Sequence, residues 1–454
     1  MLRNLFSSMD EFLSYFGWLC STRFLFVFLC SLPLVGLLAC STPAVKSEPL
    51  SEVKASTELT SQEVLEEVTG RDASPESQEV PEELETIVEQ SPIEQVQEKG
   101  LGDSSSGIRK VPLPDKRWKE LPKELSIVPL RVDIDRGFCL SHNHQGGGVK
   151  GYGSKASLES KKRLYKWGVR WISLTRFGWM KDVKSTEVNG SRYRPMSTEF
   201  RLITEDTKQA RQLGMKIMIK PHIWVGSNGW RGSIQPEGTD GWKKWFESYT
   251  KFIVAYAKLS ETLKAEYFVV GVELVSATKQ NRDLWLKLIE EVRKVYSGKL
   301  VYAANWDEVE QVVFWDKVDI LGVQFFGPLT KKIHPTMAEL EAGVETHLKK
   351  YEAVSKKFKK PIVFTEAGYR ATAGSFITPY IWPSQLPPAQ RVFDEISQAV
   401  GYAAFLNVIH RSPHVKGVYF WKWFSDMGTD EEGKIGFSPF EKLAEKVLEA
   451  SFAP

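Results

Sequence analysis

Cysteine is nearly absent where it could matter. Of four in 454 residues, Cys20, Cys30 and Cys40 lie within the first forty, which leaves Cys139 alone downstream. An intramolecular disulfide beyond residue 40 is therefore excluded, and stability there has to come from a packed core. Cys139, in Gly137-Phe138-Cys139-Leu140, is most simply a small buried apolar residue. Aromatic residues are missing from Ser41 through Arg117, the next being Trp118. Cations are scarce there too: Ser41 to Gly100 carries 15 acidic and 4 basic side chains, net −11. A segment this charged and this poor in large apolar groups cannot offset the entropy of ordering itself. The uncharged apolar run Phe24 to Ala39 spans only 16 residues and is broken by Pro33, short for a membrane span. No arginine-rich helix and no interleaving of aromatic with basic residues points to nucleic acid.

What is there begins with an address. The apolar run follows Arg23 and ends in small residues, as an export signal does. Leu37-Leu38-Ala39-Cys40 resembles a bacterial lipobox, which implies cleavage before Cys40 and acylation of that cysteine. Ser41 follows instead of Asp, which resembles sorting to the outer membrane. The expected layout is a signal peptide over 1–39, a lipidated Cys40 with a disordered acidic linker over 40–121, and a folded domain over 122–454. Such a protein belongs to the cell envelope, held to a membrane by acyl chains without spanning it. An ordinary secretory signal that merely contains a cysteine is the plainer alternative. From Leu101 onward 54 basic residues face 40 acidic ones, net +14. A basic domain on an acidic leash suits solubility first and anionic envelope polymers second.

The remainder alternates short β-branched runs with amphipathic stretches, the pattern of a parallel sheet. Candidate strands are Val132 to Leu140, Gly168 to Leu174, Lys216 to Lys220, Tyr267 to Glu273, Leu300 to Asn305, Asp319 to Gln324, Pro361 to Glu366 and Gly417 to Trp423. Helical stretches between them include Ser157 to Trp167, Thr198 to Leu213, Gly241 to Leu259, Arg282 to Tyr296, Met337 to Phe358, Ala389 to Ile409 and Ser438 to Leu448. Gly168, Gly214 and Gly417 stand where helix gives way to strand, as terminating glycines do. Eight strand-helix units favour a closed (β/α)8 TIM barrel over an open sheet. The glycine-rich segment Gly146 to Ser154 matches neither a phosphate loop nor a dinucleotide fingerprint.

Two glutamates close two of those strands: Glu273 after Val269-Val270-Gly271-Val272, and Glu366 after Ile362-Val363-Phe364-Thr365. Strand ends are where a barrel does its chemistry. Two carboxyls meeting there can cleave a glycosidic bond, one protonating the leaving oxygen and the other attacking the sugar. Taken singly, each is as readily a strand-end charge paired with a nearby Lys or Arg. Aromatic side chains at the same rim suit sugar faces: Trp421 and Trp423 on strand eight, with Trp224, Trp230, Trp306 and Trp382 in segments after strands three, five and seven. His222 and Asn305 are candidate hydroxyl-binding groups, as are His142, Asn143 and His144. Two histidines so spaced could also hold a metal, but no third ligand shows convincing spacing, and no metal or cofactor is expected.

In order along the chain stand Lys150-Gly151-Tyr152-Gly153-Ser154, Lys220-Pro221-His222, Gly271-Val272-Glu273-Leu274, Ala304-Asn305-Trp306, Thr365-Glu366-Ala367-Gly368 and Phe420-Trp421-Lys422-Trp423. With these fragments the chain resembles the retaining barrel glycoside hydrolases, and more narrowly family 113, known as endo-β-1,4-mannanases. The resemblance implies Glu273 as general acid/base, Glu366 as nucleophile, and mannan or a related glucan-mannan as substrate; a monomer held to the membrane through Cys40 is the expected state. Apolar neighbours would keep Glu273 protonated, while Arg176 at the end of strand two either orients an ionised Glu366 or forms a rim ion pair without catalytic purpose. Two departures stand out. Val272 precedes the acid/base where the wider clan has Asn, and strand six carries no Tyr, leaving Gln324, Tyr369 or Tyr380 to donate to the nucleophile. The alternatives are a barrel that binds surface glycans without cleaving them and a hydrolase of the cell's own envelope glycans.

Overall fold

In the computed structural model, residues 107–142, 149–192, 194–428 and 432–453 are described. The signal segment, Cys40, the linker up to 106, Asn143, His144 and Gly146 to Gly148 lie outside them. Eight parallel strands close into a barrel: β3 (Asp135–Ser141), β4 (Trp171–Met180), β5 (Lys216–Val225), β6 (Tyr267–Val272), β7 (Lys299–Asn305), β8 (Ile320–Phe325), β9 (Ile362–Ala367) and β10 (Val415–Phe424). Every residue of β6, β8 and β9 is buried, because helices cover the outside and side chains fill the inside. Hence their apolar runs do not alternate with polar residues.

The outer layer is α1 (Lys155–Lys166), α2 (Met196–Gln212), α3 (Gly241–Thr262), the single turn α4 (Val275–Thr278), α5 (Arg282–Arg293), α6 (Met337–Phe358), α7 (Glu395–Ile409) and α8 (Leu443–Phe452). Their starts are capped by side chains where the sequence permits. Ser154 caps α1, Thr336 and Glu339 form a reciprocal box on α6, and Asp394 caps α7. The α7 cap explains why that helix begins at Glu395 and not at Ala389: Pro387 and Pro388 hold the preceding segment in a 3₁₀ turn. Gly168 and Gly214 have positive φ at helix ends, but Gly417 lies inside β10 with no such requirement.

Two expectations need correction. Among the described residues the crossover from β7 to β8 has no α-helix, only a 3₁₀ turn at Trp315–Lys317. Aromatic side chains fill the space a helix would take. Phe314 stacks on Trp285 of α5 at 4.5 Å and meets Tyr302 of β7 edge-on at 5.2 Å. Ordered structure also begins before the expected domain start at residue 122. The strands β1 (Arg109–Pro112) and β2 (Glu124–Ile127) form an antiparallel hairpin. It is latched to the barrel where Arg109 donates to the carbonyls of Ala450 and Ala453 at the end of α8. Four strand residues in a polar setting carry too little periodicity to be seen.

The floor of the barrel is polar. Asp135, Trp171 and Tyr267 open their strands there; the Tyr267 hydroxyl donates to Asp135 at 2.7 Å and its ring stacks on Trp171 at 4.6 Å. Burial pushes the Asp135 carboxyl up to about 6 against the pull of the Tyr267 hydrogen bond and of Lys216. The folded chain thus binds this proton more tightly than the unfolded chain, whose Asp titrates near ~3.9. Its contribution is full below that value and falls away as pH rises through about 6. Asp135→Asn removes the ionisation, so the variant should gain about 1–2 kcal/mol on the parent between pH 4 and 7.5. Calorimetric melting at the two pH values checks this; a constant difference refutes it.

Candidate active site

Both glutamates stand at the C-terminal rim, Glu366 within β9 and Glu273 one residue past β6. Glu366 is buried, and its surroundings come chiefly from β5. Lys220, fully buried, donates to the Glu366 Oε1 at 2.5 Å, to the Thr365 carbonyl at 3.0 Å and to the Cys139 sulfur at 3.2 Å. All three ammonium protons are used. Burial works against this charge, but the Cys139 sulfur and the Glu366 carboxylate hold it, and the Lys220 pKa stands above the usual amine value. Burial pushes the Cys139 thiol up to about 12. The ion-pair partner of Lys220 is therefore Glu366 and not the thiol.

Glu273 closes β6 with a left-handed residue, φ 51°, which turns the chain abruptly from strand into α4. Its Oε2 accepts from Arg231 Nη1 at 2.9 Å. Burial raises the Glu273 pKa first of all; Arg231 opposes, the Glu366 charge adds to the rise, and Lys220 opposes it weakly. The net direction is upward. The two carboxyls are thus close enough to feel each other yet sit in different settings, Glu366 against the Lys220 ammonium and Glu273 against the Arg231 guanidinium.

The other expected residues divide. His222 lies on the same strand as Lys220, with Nε2 3.4 Å from Glu366 Oε1 and its ring stacked on Trp421 at 6.3 Å. Burial, helped by Arg231 and Lys220, drives its pKa well below the usual imidazole value, so it is neutral and both ring nitrogens are without a hydrogen-bond partner. Trp421 forms one wall beside Trp382 and Lys422. Gln324 pairs in register with Glu366 and accepts from Thr365 Oγ1 at 2.8 Å, with its amide nitrogen unpartnered. Asn305 ends β7 and donates to Asp307 at 2.6 Å. Trp306 stacks on Tyr380 at 6.4 Å across the rim. Trp224 and Trp230 are 53% and 46% exposed.

Four residues stand elsewhere than expected. Arg176 pairs with Glu199 of α2 and lies over the Tyr152 ring, so its charge is spent on a helix and not on Glu366. Trp423 is wholly buried among Trp167, Phe138 and Phe440, its indole donating to Ser160. It does not share a face with Trp421, because the pairing of β10 with β3 shifts register between Phe420 and Trp423, which breaks the two-residue alternation. Tyr369 is buried against Gly401 and Tyr402 of α7. His142 accepts from the Tyr152 backbone N–H and packs edge-on against that ring.

Lys220 and Arg231 carry the electrostatics and were not singled out by sequence. For Lys220 a signal existed: a lysine inside Ile217-Met218-Ile219-Lys220 can only point into a barrel or waste its charge. Arg231 had none, since it reaches Glu273 from a loop 42 residues away in sequence.

Comparison with known proteins accords with this geometry. The model of Glycoside Hydrolase Family 113 matches residues 143–441. Among solved structures, a family-113 β-1,4-mannanase determined as a complex is similar at 26% identity and a TM-score of 0.61, over 72% of this chain and 99% of that one. The family-113 β-mannanase of Alicyclobacillus acidocaldarius, in complex with ManMIm, is similar at 25% identity and a TM-score of 0.60, over 72% and 97%. No curated protein sequence matches. The barrel, the strand-end carboxyls and the match over most of the folded chain lead to one statement: the protein belongs to glycoside hydrolase family 113.

Proposed function

We propose that this glycoside hydrolase cleaves β-1,4-linked mannan or glucomannan with retention of anomeric configuration. The observation that carries the reading is the unequal environment of its two carboxyls: Glu366 faces a buried ammonium, whereas burial favours the protonated form of Glu273. Unequal environments divide acid from nucleophile. Glu366 attacks the anomeric carbon while Glu273 gives its proton to the departing glycosidic oxygen, and a glycosyl ester forms on Glu366. Esterification removes the negative charge that helped raise Glu273, and Arg231 then favours its carboxylate form. Glu273 next takes a proton from water, which attacks the anomeric carbon from the face Glu273 occupies, and Glu366 leaves. Trp421 offers an apolar wall to the sugar, His222 and Asn305 offer hydroxyl partners, and Trp306 with Tyr380 a further platform. The reading extends to an enzyme held in the cell envelope by an acylated Cys40.

The test is hydrolysis by the purified protein of a panel comprising β-mannan, glucomannan, cellulose and xylan, with product anomers followed by proton NMR. Mannan or glucomannan should be cut, with the β-anomer appearing before mutarotation. Initial α-anomer overturns retention, and cleavage restricted to other polymers overturns the substrate.

A further inference from the structure

Within electrostatic reach of Glu273 lies a further carboxyl that the proposed chemistry does not use. Glu308, three residues beyond the end of β7, is completely buried. Its Oε1 accepts from the Tyr302 hydroxyl at 2.8 Å and from Thr278 Oγ1, and its Oε2 accepts from the Asn305 backbone N–H at 2.9 Å. None of these partners is a cation. A buried carboxyl on hydroxyls and an amide, without a neutralising charge, costs stability and calls for a reason. Tyr302 supplies one, because the same hydroxyl accepts the Leu274 backbone N–H at 2.9 Å. Leu274 follows Glu273, and the Glu273 N–H is itself bonded to the Ala303 carbonyl at 2.9 Å. Both peptides flanking Glu273 are therefore pinned to β7. That is what a non-glycine residue in the left-handed region requires, since the conformation persists only where neighbours over-determine it. Thr278 ties the α4 turn to the same carboxyl, and Asn305 ties the end of β7.

We infer that Glu308 is a positioning residue: through Tyr302 its carboxyl holds the peptide after Glu273 and so aims the Glu273 carboxyl into the cleft. The inference rests on the acid/base reading of Glu273. Charge adds a second effect. Glu273 is faced by Arg231 from the turn after β5, by Lys220 from β5 and by Glu366 from β9, and its charge also reaches Glu308. Burial pushes Glu308 itself up to about 7, against the pull of Thr278, Asn305 and Tyr302, and the Glu273 charge adds to the rise. Above about pH 7, where Glu308 is itself ionised, its charge disfavours ionisation of Glu273 in return.

Two variants separate aim from charge. Tyr302→Phe leaves the carboxyl in place but cuts its connection to Leu274; kcat on mannohexaose should fall about 10-fold or more with KM nearly unchanged. Glu308→Gln keeps the frame, because the hydroxyls of Tyr302 and Thr278 can accept from the new amide. It removes the charge, so the alkaline limb of kcat/KM, which reports the acid, should move to lower pH. Full kcat in Tyr302→Phe, or a Glu308→Gln limb that stays in place, overturns the inference. A substrate-free readout keeps it separate from the functional reading: carbon-13 titration of side-chain-labelled glutamate, with the Glu273 signal assigned by its loss in Glu273→Gln. Glu273 should titrate lower in Glu308→Gln than in the parent, and identical titration overturns the inference even if the parent cleaves no mannan. If Glu308→Gln does not fold, Tyr302→Phe decides.

Discussion

Glu366→Gln should lower turnover of mannan by about 10⁴-fold or more, because the amide cannot form the glycosyl ester. The amide keeps the shape of the carboxyl and can still accept from Lys220, but it leaves that buried ammonium without a counter-charge, so the variant should fold with a stability loss of about 3–5 kcal/mol. The contrasting variant is Glu273→Gln. On mannan it should lose about 10²–10⁴-fold, the usual worth of general acid–base catalysis. On a 2,4-dinitrophenyl β-mannoside, whose leaving group needs no proton, the first step should survive while the second lacks its base. Dinitrophenolate should then appear as a burst equal to the enzyme concentration, followed by slow release. Glu366→Gln should show neither burst nor release. A burst in Glu366→Gln, or equal losses for the two variants on both substrates, would mean that the roles have been exchanged or that the carboxyls do not act on one sugar.

The eight barrel strands were legible in the sequence because parallel strands buried on both faces are written as apolar runs, and glycines mark two of the entries into them. The two glutamates were legible because a carboxylate at the end of such a run has no structural use inside a core. What stayed hidden depends on tertiary contact. Arg176 looked available for Glu366 until α2 brought Glu199 to it, and nothing local distinguishes a strand-end arginine facing the cleft from one facing a helix. Trp423 was assigned to the face of Trp421 by the two-residue period, which the register shift in β10 breaks. Glu308, in Trp306-Asp307-Glu308, reads as a loop acid, and only the fold shows it buried. Arg231 reaches Glu273 from the turn after β5 and Glu308 reaches the peptide after it through Tyr302 of β7, relations that no stretch of sequence contains.

Lys220→Met should be the most damaging single change that leaves both carboxyls in place. Methionine matches the length of lysine and fills the barrel interior, so packing is largely kept and the effect isolates the charge. The Glu366 carboxyl is then buried beside Cys139 and Trp421 with no cation, and removing one partner of a buried pair typically costs about 3–5 kcal/mol. The folded variant escapes part of that cost by taking up a proton on the carboxyl, which sets the sign of its pH dependence. Bound more tightly in the folded chain than in the unfolded one, this proton stabilises the variant fully below about 4.3, the unfolded glutamate value, and less as pH rises. The stability deficit against the parent should therefore be small near pH 4 and reach its full size above neutrality, as urea unfolding at the two pH values would read. Activity should follow the same charge. With the nucleophile held protonated, kcat/KM on mannan should fall by about 10²-fold or more at pH 6 and its acid limb should move to higher pH. A variant with full stability at pH 7.5 and an unmoved acid limb would show that Glu366 takes its ionisation from some other neighbour, and the division of labour between the carboxyls would then need a different source.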